Sequence, residues 1–550
     1  MRLNRLWLIV GLVVAALALA ANGSSGRQRA SAGGSLTFGA EQGGGPDWCL
    51  NSTMSVDCGE FWNVVYETPV LRSAFVLTPK FTYKLDLISK YTVQQNPQRI
   101  TLYIRKNAKW SDGVPVTGKD FRFLWQTIMN PAYKDHVDTT GWRQVRTVTG
   151  NGKVVKIIFR TPFADWKDLL IAGAAPVLPQ HVLQGTNQTT VWNTCICDPK
   201  TGKPIGDGPF LLTKYDPSGG ITLQKNPAGW YGKPAKLSTI QFVYLTNTNT
   251  EIEQIRGREI DVIYPQPQQS LSDLKGQSGL RIQSSLGTTW EHIDIQQGPQ
   301  GNPVAKQQWA RQALTLSLDR AATVKALFGQ LNSGLKPLNN LFYFPNQGKA
   351  YVPHWSKWSY NPTKAESLMK AHGCTKGGDG YYRCTIGGAS TKMTFSFEST
   401  RGNRLRELAF TFLQDQAKKA GIELVNNFKP AGTVFGSDLP NHTFDLAMYA
   451  FVSTADPGGR VPTYKCGGAS NFGLYCNPKT SKMLLQTDKI LVPTKRTALF
   501  EKIDSIFSNE IPAIPLYQKP TFLVYKSGIK GMVDNPNSQG PTWNVENWSK

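Results

Sequence analysis

The stretch that most constrains this chain is Ile100–Pro131. A short run of alternating residues ending Ile104-Arg105-Lys106 reads as a strand. Ser111-Asp112-Gly113 follows as a tight turn, where glycine can take the positive φ that turns often need. Thr117 is placed to cap a helix, and Asp120, three residues on, to bond back to the cap. Phe121, Leu124, Trp125, Ile128 and Met129 continue at helical spacing until Pro131 discourages further turns. Locally this is only a structural motif, but helix and strand alternate in the same way along the chain, with no repeat, which gives an α/β class.

The same stretch carries a specific string, Lys109-Trp110-Ser111-Asp112-Gly113 through Pro115-Val116-Thr117 and Asp120-Phe121. It resembles the signature of the extracellular solute-binding proteins of family 5, the peptide- and nickel-type binding components of ABC importers. Further blocks follow in family order: Tyr66-Glu67 with Leu71, Gly206-Asp207-Gly208-Pro209-Phe210, Arg311-Gln312-Ala313 with Asp319-Arg320, Asn361-Pro362 with Ala365, and Phe444–Tyr449. The resemblance covers about residues 35–545.

It implies an α/β, two-lobed periplasmic-binding-protein-like fold (type II, cluster C) with an extra inserted domain. The expected division is 1–21 signal peptide, 22–34 tether, 35–80 first part of lobe 1, and 81–205 inserted domain. Then come 206–285, the second part of lobe 1; 286–520, lobe 2; and 521–550, the C-terminal part of lobe 1. Helices are expected at Phe61–Leu71, Val304–Leu318, Ala321–Phe328 and Arg404–Ala420. Separate strands are expected at Ile511–Leu516 and Thr521–Val524.

Arg2 and Arg5 precede an apolar run, Leu6–Ala21, with the small residues Ala18 and Ala20 at a cleavage position. The run suits a cleaved export signal; an uncleaved anchor is the alternative, since its length falls just short of a comfortable span. There is no nearby cysteine for a lipoprotein route. An extracytoplasmic location follows. The formal charge of +23 is spread along the chain rather than run together, which argues against nucleic acid and for attraction to an anionic envelope.

Eight cysteines suit an oxidising compartment. Cys49/Cys58, Cys374/Cys384 and Cys466/Cys476 are read as three local loop-closing disulfides. Cys195 and Cys197 pair with each other or elsewhere. No cofactor is expected: no Walker A loop, Gly-x-Ser-x-Gly or His-Glu-x-x-His occurs. Gly206-x-Gly208 lacks a third glycine and a following helix, so it is not read as a phosphate loop.

The resemblance implies a binding protein rather than an enzyme. It would close on a peptide or other small solute and deliver it, as a monomer, to an ABC permease with its ATPase. The alternatives are a non-peptide solute, a secreted enzyme, or a surface adhesion protein. Candidate ligand contacts are Glu41 and Trp48 in the loop after the first strand, Trp290 and His292 on a strand crossing between lobes, and Tyr449, Phe451, Ser453 and Asp456 in the cleft loop. In oligopeptide binders that loop carries an aspartate for the peptide's α-amino group; Ser453 stands there instead, with Asp456 or Glu41 as the available carboxylate.

Overall fold

The computed structural model describes residues 33–41, 50–54, 62–172, 175–454 and 456–550. The export segment, Trp48, Cys49 and Cys58 lie outside the described residues. Among those described, no helix is long and apolar enough to cross a membrane.

A ten-stranded sheet runs through both lobes. Its order is Glu423–Lys429, Thr394–Thr400, Leu446–Val452, Leu280–Ile295, Ala513–Lys526, Val262–Ile263, Ser35–Ala40, Thr239–Tyr244, Gly220–Lys225 and Phe210–Asp216. The two long central strands, Leu280–Ile295 and Ala513–Lys526, are antiparallel partners. One half of the pair belongs to each lobe. Along the second strand side chains alternate, as strand geometry demands. Leu523 and Tyr525 enter a core shared with residues 36–242, while Phe522 and Val524 enter a second core that extends through lobe 2.

The separate strands expected at Ile511–Leu516 and Thr521–Val524 are one strand. Pro515 and Pro520 lie within it although proline cannot donate to a ladder. The pair accommodates them by register shifts, one between Leu286 and Trp290 on the partner strand and one that skips Leu516 on the strand itself, between Glu291 and His292. At the first shift Gly287 passes so close to Pro536 that a Cβ there would lie 1.8 Å from its carbonyl oxygen.

Between residues 81 and 205 a four-stranded antiparallel sheet forms, in the order Ile88–Gln95, Gln98–Ile104, Val154–Phe159, Val145–Thr149. The helix Gly118–Ile128 packs on it, opened by the expected capping box: Thr117 accepts from Lys119 N–H, and Asp120 accepts from Thr117 N–H at 2.7 Å. Its buried residues join the lobe 1 core without a break. Gly206 and Gly208 are there for close approach, because Cβ atoms would lie 2.7 Å from Val70 O and 2.3 Å from Pro69 O. That agrees with the rejection of a phosphate loop.

The chain returns at its far end to finish lobe 1. Val545 and Trp548 are buried in the first core. Asn535 donates to Leu77 O at 2.8 Å and Thr542 to Val65 O at 2.8 Å.

In lobe 2 the helix expected from Val304 begins only at Gln308. Asn302 turns the preceding segment by accepting from Val304 N–H at 2.9 Å, and Arg311 takes its carbonyls, donating to Ala305 O at 2.9 Å and Lys306 O at 3.0 Å. Arg320 acts likewise on Leu338 O and Pro515 O, so the Arg-x-Ala…Asp-Arg block is a pair of buried backbone clamps. Trp62–Glu67 makes a single π-type turn where a longer helix was expected. Cys374–Cys384, Cys466–Cys476 and Cys195–Cys197 are bonded.

On the helix Pro493–Glu510, Glu501 faces His354 at 2.9 Å, and fully buried Asp504 accepts from Leu341 N–H at 2.8 Å. Burial pushes the Asp504 carboxyl up to about 7, and the Glu501 hydrogen bond raises His354. Each group holds its proton more tightly folded than unfolded, so each favours the folded state at low pH and loses that contribution as pH rises through its folded value. Thermal unfolding followed from about pH 5 to 7.5 should show falling stability. Asp504→Asn should flatten the slope by on the order of 1 kcal/mol or more across that window. An unchanged slope would remove Asp504 as its source.

Candidate functional site

Three adjoining cavities separate the lobes, and Val452 lines all of them. The largest has a volume of about 1060 Å³; each of the others holds about 350 Å³. Their spine is the strand Leu446–Val452. It pairs with Leu280–Ile295 along its whole length, but with Thr394–Thr400 only at Leu446 and Ala447. Met448 O accepts from Ser399 Oγ at 2.7 Å, and from Tyr449 to Val452 the second edge meets no other strand among the described residues and borders the largest cavity.

Glu41 lies on the cavity wall, buried, accepting from Thr248 Oγ1 and from Gln266 N–H at 2.8 Å. Burial raises its pKa, against the pull of those hydrogen bonds and of Lys519. Lys519 comes from the crossing strand, donates to Gln266 Oε1, and is lowered by burial. Opposite, the helix Arg404–Lys419 begins at the cavity, with Asn403 as its cap. Arg406 turns inward, donating to Glu291 Oε1 at 2.6 Å and Thr400 Oγ1 at 2.9 Å, while Arg401 and Arg404 stay exposed at the mouth. Phe435 offers an apolar face that is 45% exposed.

The structure thus brings Glu41, Tyr449, Phe451 and Ser453 to the cleft and withdraws three other candidates. Trp290 is fully buried: its Nε1 donates to Ser453 Oγ at 3.3 Å, and Arg460 covers its ring. His292 is also fully buried, stacked on Phe451 with ring centroids 4.8 Å apart. Both residues sit on the part of the crossing strand roofed by its neighbours, so they support the cleft wall from behind. Asp456 is taken by Arg496, and its other oxygen caps Gly458 N–H at 2.9 Å. Trp48 lies outside the described residues.

Arg496 is the centre of an interlobe clamp. It grips Asp165, which follows the four-stranded sheet, through Nη1 at 2.5 Å and Nη2 at 2.6 Å, while also holding Asp456. Ala164 N–H reaches across to Asp488 O at 2.8 Å. Gly458 makes room, since a Cβ there would fall 1.6 Å from Asp165 Oδ2. Burial and the neighbouring Asp456 raise Asp165; Arg496 opposes them. Asp168, which accepts from Tyr83, is pushed up to about 7 by burial and Asp456. Ion pairs and a backbone hydrogen bond thus join the lobes directly at this place.

Residues 82–471 match the family described as "Bacterial extracellular solute-binding proteins, family 5 Middle". The chain belongs to this family. Members bind solutes rather than transform them, so the chain is a family 5 solute-binding protein and not an enzyme. It is 24% identical over 478 residues to the oligopeptide-binding protein OppA of Mycobacterium tuberculosis, covering 84% of this chain and 78% of that one. It is also 24% identical over 481 residues to OppA of Bacillus subtilis, covering 81% and 82%. Among solved structures, the periplasmic EDTA-binding protein EppA superposes with a TM-score of 0.84 at 22% identity, covering 94% of this chain and 96% of that one. AppA of Bacillus subtilis, in complex with a nonapeptide, gives 0.77 at 20% identity, covering 94% and 99%. These structures share the two-lobed fold.

Arg406, Lys519, Gln266 and Phe435 were not singled out from sequence. Arg406 left a trace: it falls on the buried face of its helix with Ala409, Phe410 and Leu413, where a charge needs a reason.

Removing Arg496 would leave Asp165 and Asp456 facing each other without a cation. Arg496→Met should cost roughly 3–5 kcal/mol near neutral pH, and less near pH 5, where the carboxyls can take protons. Urea unfolding at both pH values reads this; a pH-independent or negligible loss would show that the clamp does not hold the lobes.

Proposed function

We propose that this protein is the extracytoplasmic receptor of an ABC importer and captures peptides in the interlobe cleft. The observation that carries the proposal is the strand edge from Tyr449 to Val452. It borders a cavity at the upper end of ordinary ligand-pocket size, without a neighbouring strand. An extended peptide can add to such an edge through main-chain hydrogen bonds, which makes capture tolerant of side-chain sequence. The relatives named oligopeptide-binding proteins support the same reading.

In this reading Tyr449, Phe451 and Phe435 contact ligand side chains. Glu41 serves as the carboxylate available to an amine, in place of the absent aspartate at Ser453. Ligand bridging the lobes adds to the Arg496 clamp, favours the closed arrangement, and presents it to the permease. A shift toward closure can be no larger than the ligand's preference for the closed over the open form.

A second reading, a polycarboxylate ligand, is favoured by the charges at the helix start. Arg401, Arg404 and Arg406 gather at the start of Arg404–Lys419, beside the cavity, and a helix N-terminus favours negative charge. The EDTA-binding neighbour supports this reading.

Native mass spectrometry of gently purified protein separates the two: a ladder of peptide masses lost on unfolding supports peptide capture, and one defined anionic mass supports the second. Phe435→Ala removes an exposed ring, so it should leave the melting temperature unchanged while weakening peptide binding about tenfold, or roughly 1.4 kcal/mol. Calorimetry with a bound peptide showing undiminished affinity would take Phe435 out of the site.

A further inference from the structure

Lobe 1 carries another cavity, which shares no lining residue with the interlobe cleft. It holds about 690 Å³ and lies where residues 78–86, 230–233 and 533–547 meet. Five cations border it: Arg72, Lys80, Lys84, Arg105 and Lys233. Arg105 donates to Asp86 O at 2.5 Å and lies over the Tyr231 ring, while among the described residues Lys80, Lys84 and Lys233 form no ion pair. Arg72 is already spent on Asp86, which it holds at 2.8 and 3.0 Å. Glu546 is the one further acid on the wall, and it accepts from Asn547.

Two half-buried tryptophans wall the same space, and both are fixed in orientation. Trp230 Nε1 donates to Lys233 O at 2.6 Å, and Trp543 Nε1 to Val533 O at 2.9 Å. Residue 232 is glycine where a Cβ would stand 2.3 Å from Trp230 Cζ2. The guanidinium of Arg72 lies 5.2 Å from the Trp230 ring centre. Lysines that merely solubilise a surface spread apart and pair with acids. Here three lysines without acid partners, Lys80, Lys84 and Lys233, border one concavity with the two held indoles, and a concavity concentrates their field.

We infer that this cavity is a second binding site, for a sugar bearing a phosphate or carboxylate group. The anion is met by the cations, and the C–H face of the sugar ring lies on an indole face, whose π cloud is negative. A protein of an extracellular family meets such sugars either as free molecules or as units of anionic envelope polymers.

The test uses the full chain with four probes: N-acetylglucosamine 1-phosphate, N-acetylglucosamine, inorganic phosphate, and the carboxylate polymer hyaluronate. Binding is read by calorimetry and tryptophan fluorescence. The charged sugar is expected to bind at least about tenfold more tightly than either the neutral sugar or phosphate. The double variant Lys84→Glu/Lys233→Glu changes two exposed residues and should lose about tenfold or more of that affinity, while peptide binding in the cleft stays unchanged. Binding of the monomer alone points to free sugar phosphates, and retention by hyaluronate to a polymer; either supports the site. The inference is overturned if neither charged sugar binds, if phosphate or the neutral sugar binds as well as the charged monomer, or if the double variant binds like the parent.

Discussion

The pairing of Leu280–Ile295 with Ala513–Lys526 is the constraint on which the rest of the molecule depends. Two long antiparallel strands cross from one lobe to the other and give both lobes a common sheet. They also fix what faces the cleft. Lys519 comes from the second of these strands and lines a cavity, Glu291 from the first holds Arg406 from behind, and the strand Leu446–Val452 borders the cavity from Tyr449 to Val452 while its other edge is anchored on the first. The register shifts near Gly287 and Glu291 fall between the two halves, where a ladder can flex without losing most of its hydrogen bonds. The hinge and the binding surface are thus built from one element.

A clamp joins the lobes at a second place. Arg496, Asp165 and Asp456 are buried charges whose attraction must exceed the cost of leaving water, and bidentate geometry is what makes that feasible. Two carboxylates share one guanidinium, with Asp168 close by. The surplus negative charge limits how firmly the clamp holds, as suits a joint that has to open. The arrangement also explains why Asp456 is unavailable to ligand: a carboxylate that neutralises Arg496 cannot serve an ammonium at the same time.

Much of the fold was legible in the sequence because local chemistry and tertiary packing agree. Thr117 and Asp120 form the capping box their spacing announced, Asp319 and Asn361 cap their helices, and Gly206 and Gly208 stand where backbones nearly touch. Legibility failed where distant partners decide. Nothing near Pro515 or Pro520 shows that pairing with a strand more than two hundred residues earlier will shift register to receive them. Nothing near Val304 shows that Arg311 will claim its carbonyls. In the cleft, the resemblance pointed to Glu41, Tyr449, Phe451 and Ser453 as candidate ligand contacts, and these residues line the cavities. Trp290 and His292 were misplaced because an aromatic strand looks the same whether it lines a cavity or stands behind one. Arg406 and Lys519 depend on pairings with Glu291 and Gln266 that no local pattern encodes.

The return of the chain to lobe 1 bears on the order of its biosynthesis. The core holding Phe38, Trp62 and Phe242 is completed only by Val545 and Trp548, with Asn535 and Thr542 tying down carbonyls near the beginning. A ribosome has almost finished its work before that core can close. Until then the early strands keep apolar surface exposed, which delays stable folding and leaves the chain accessible to chaperones. Members of this family work outside the cytoplasm, and for a chain exported unfolded late closure would lengthen the time in which translocation can take place.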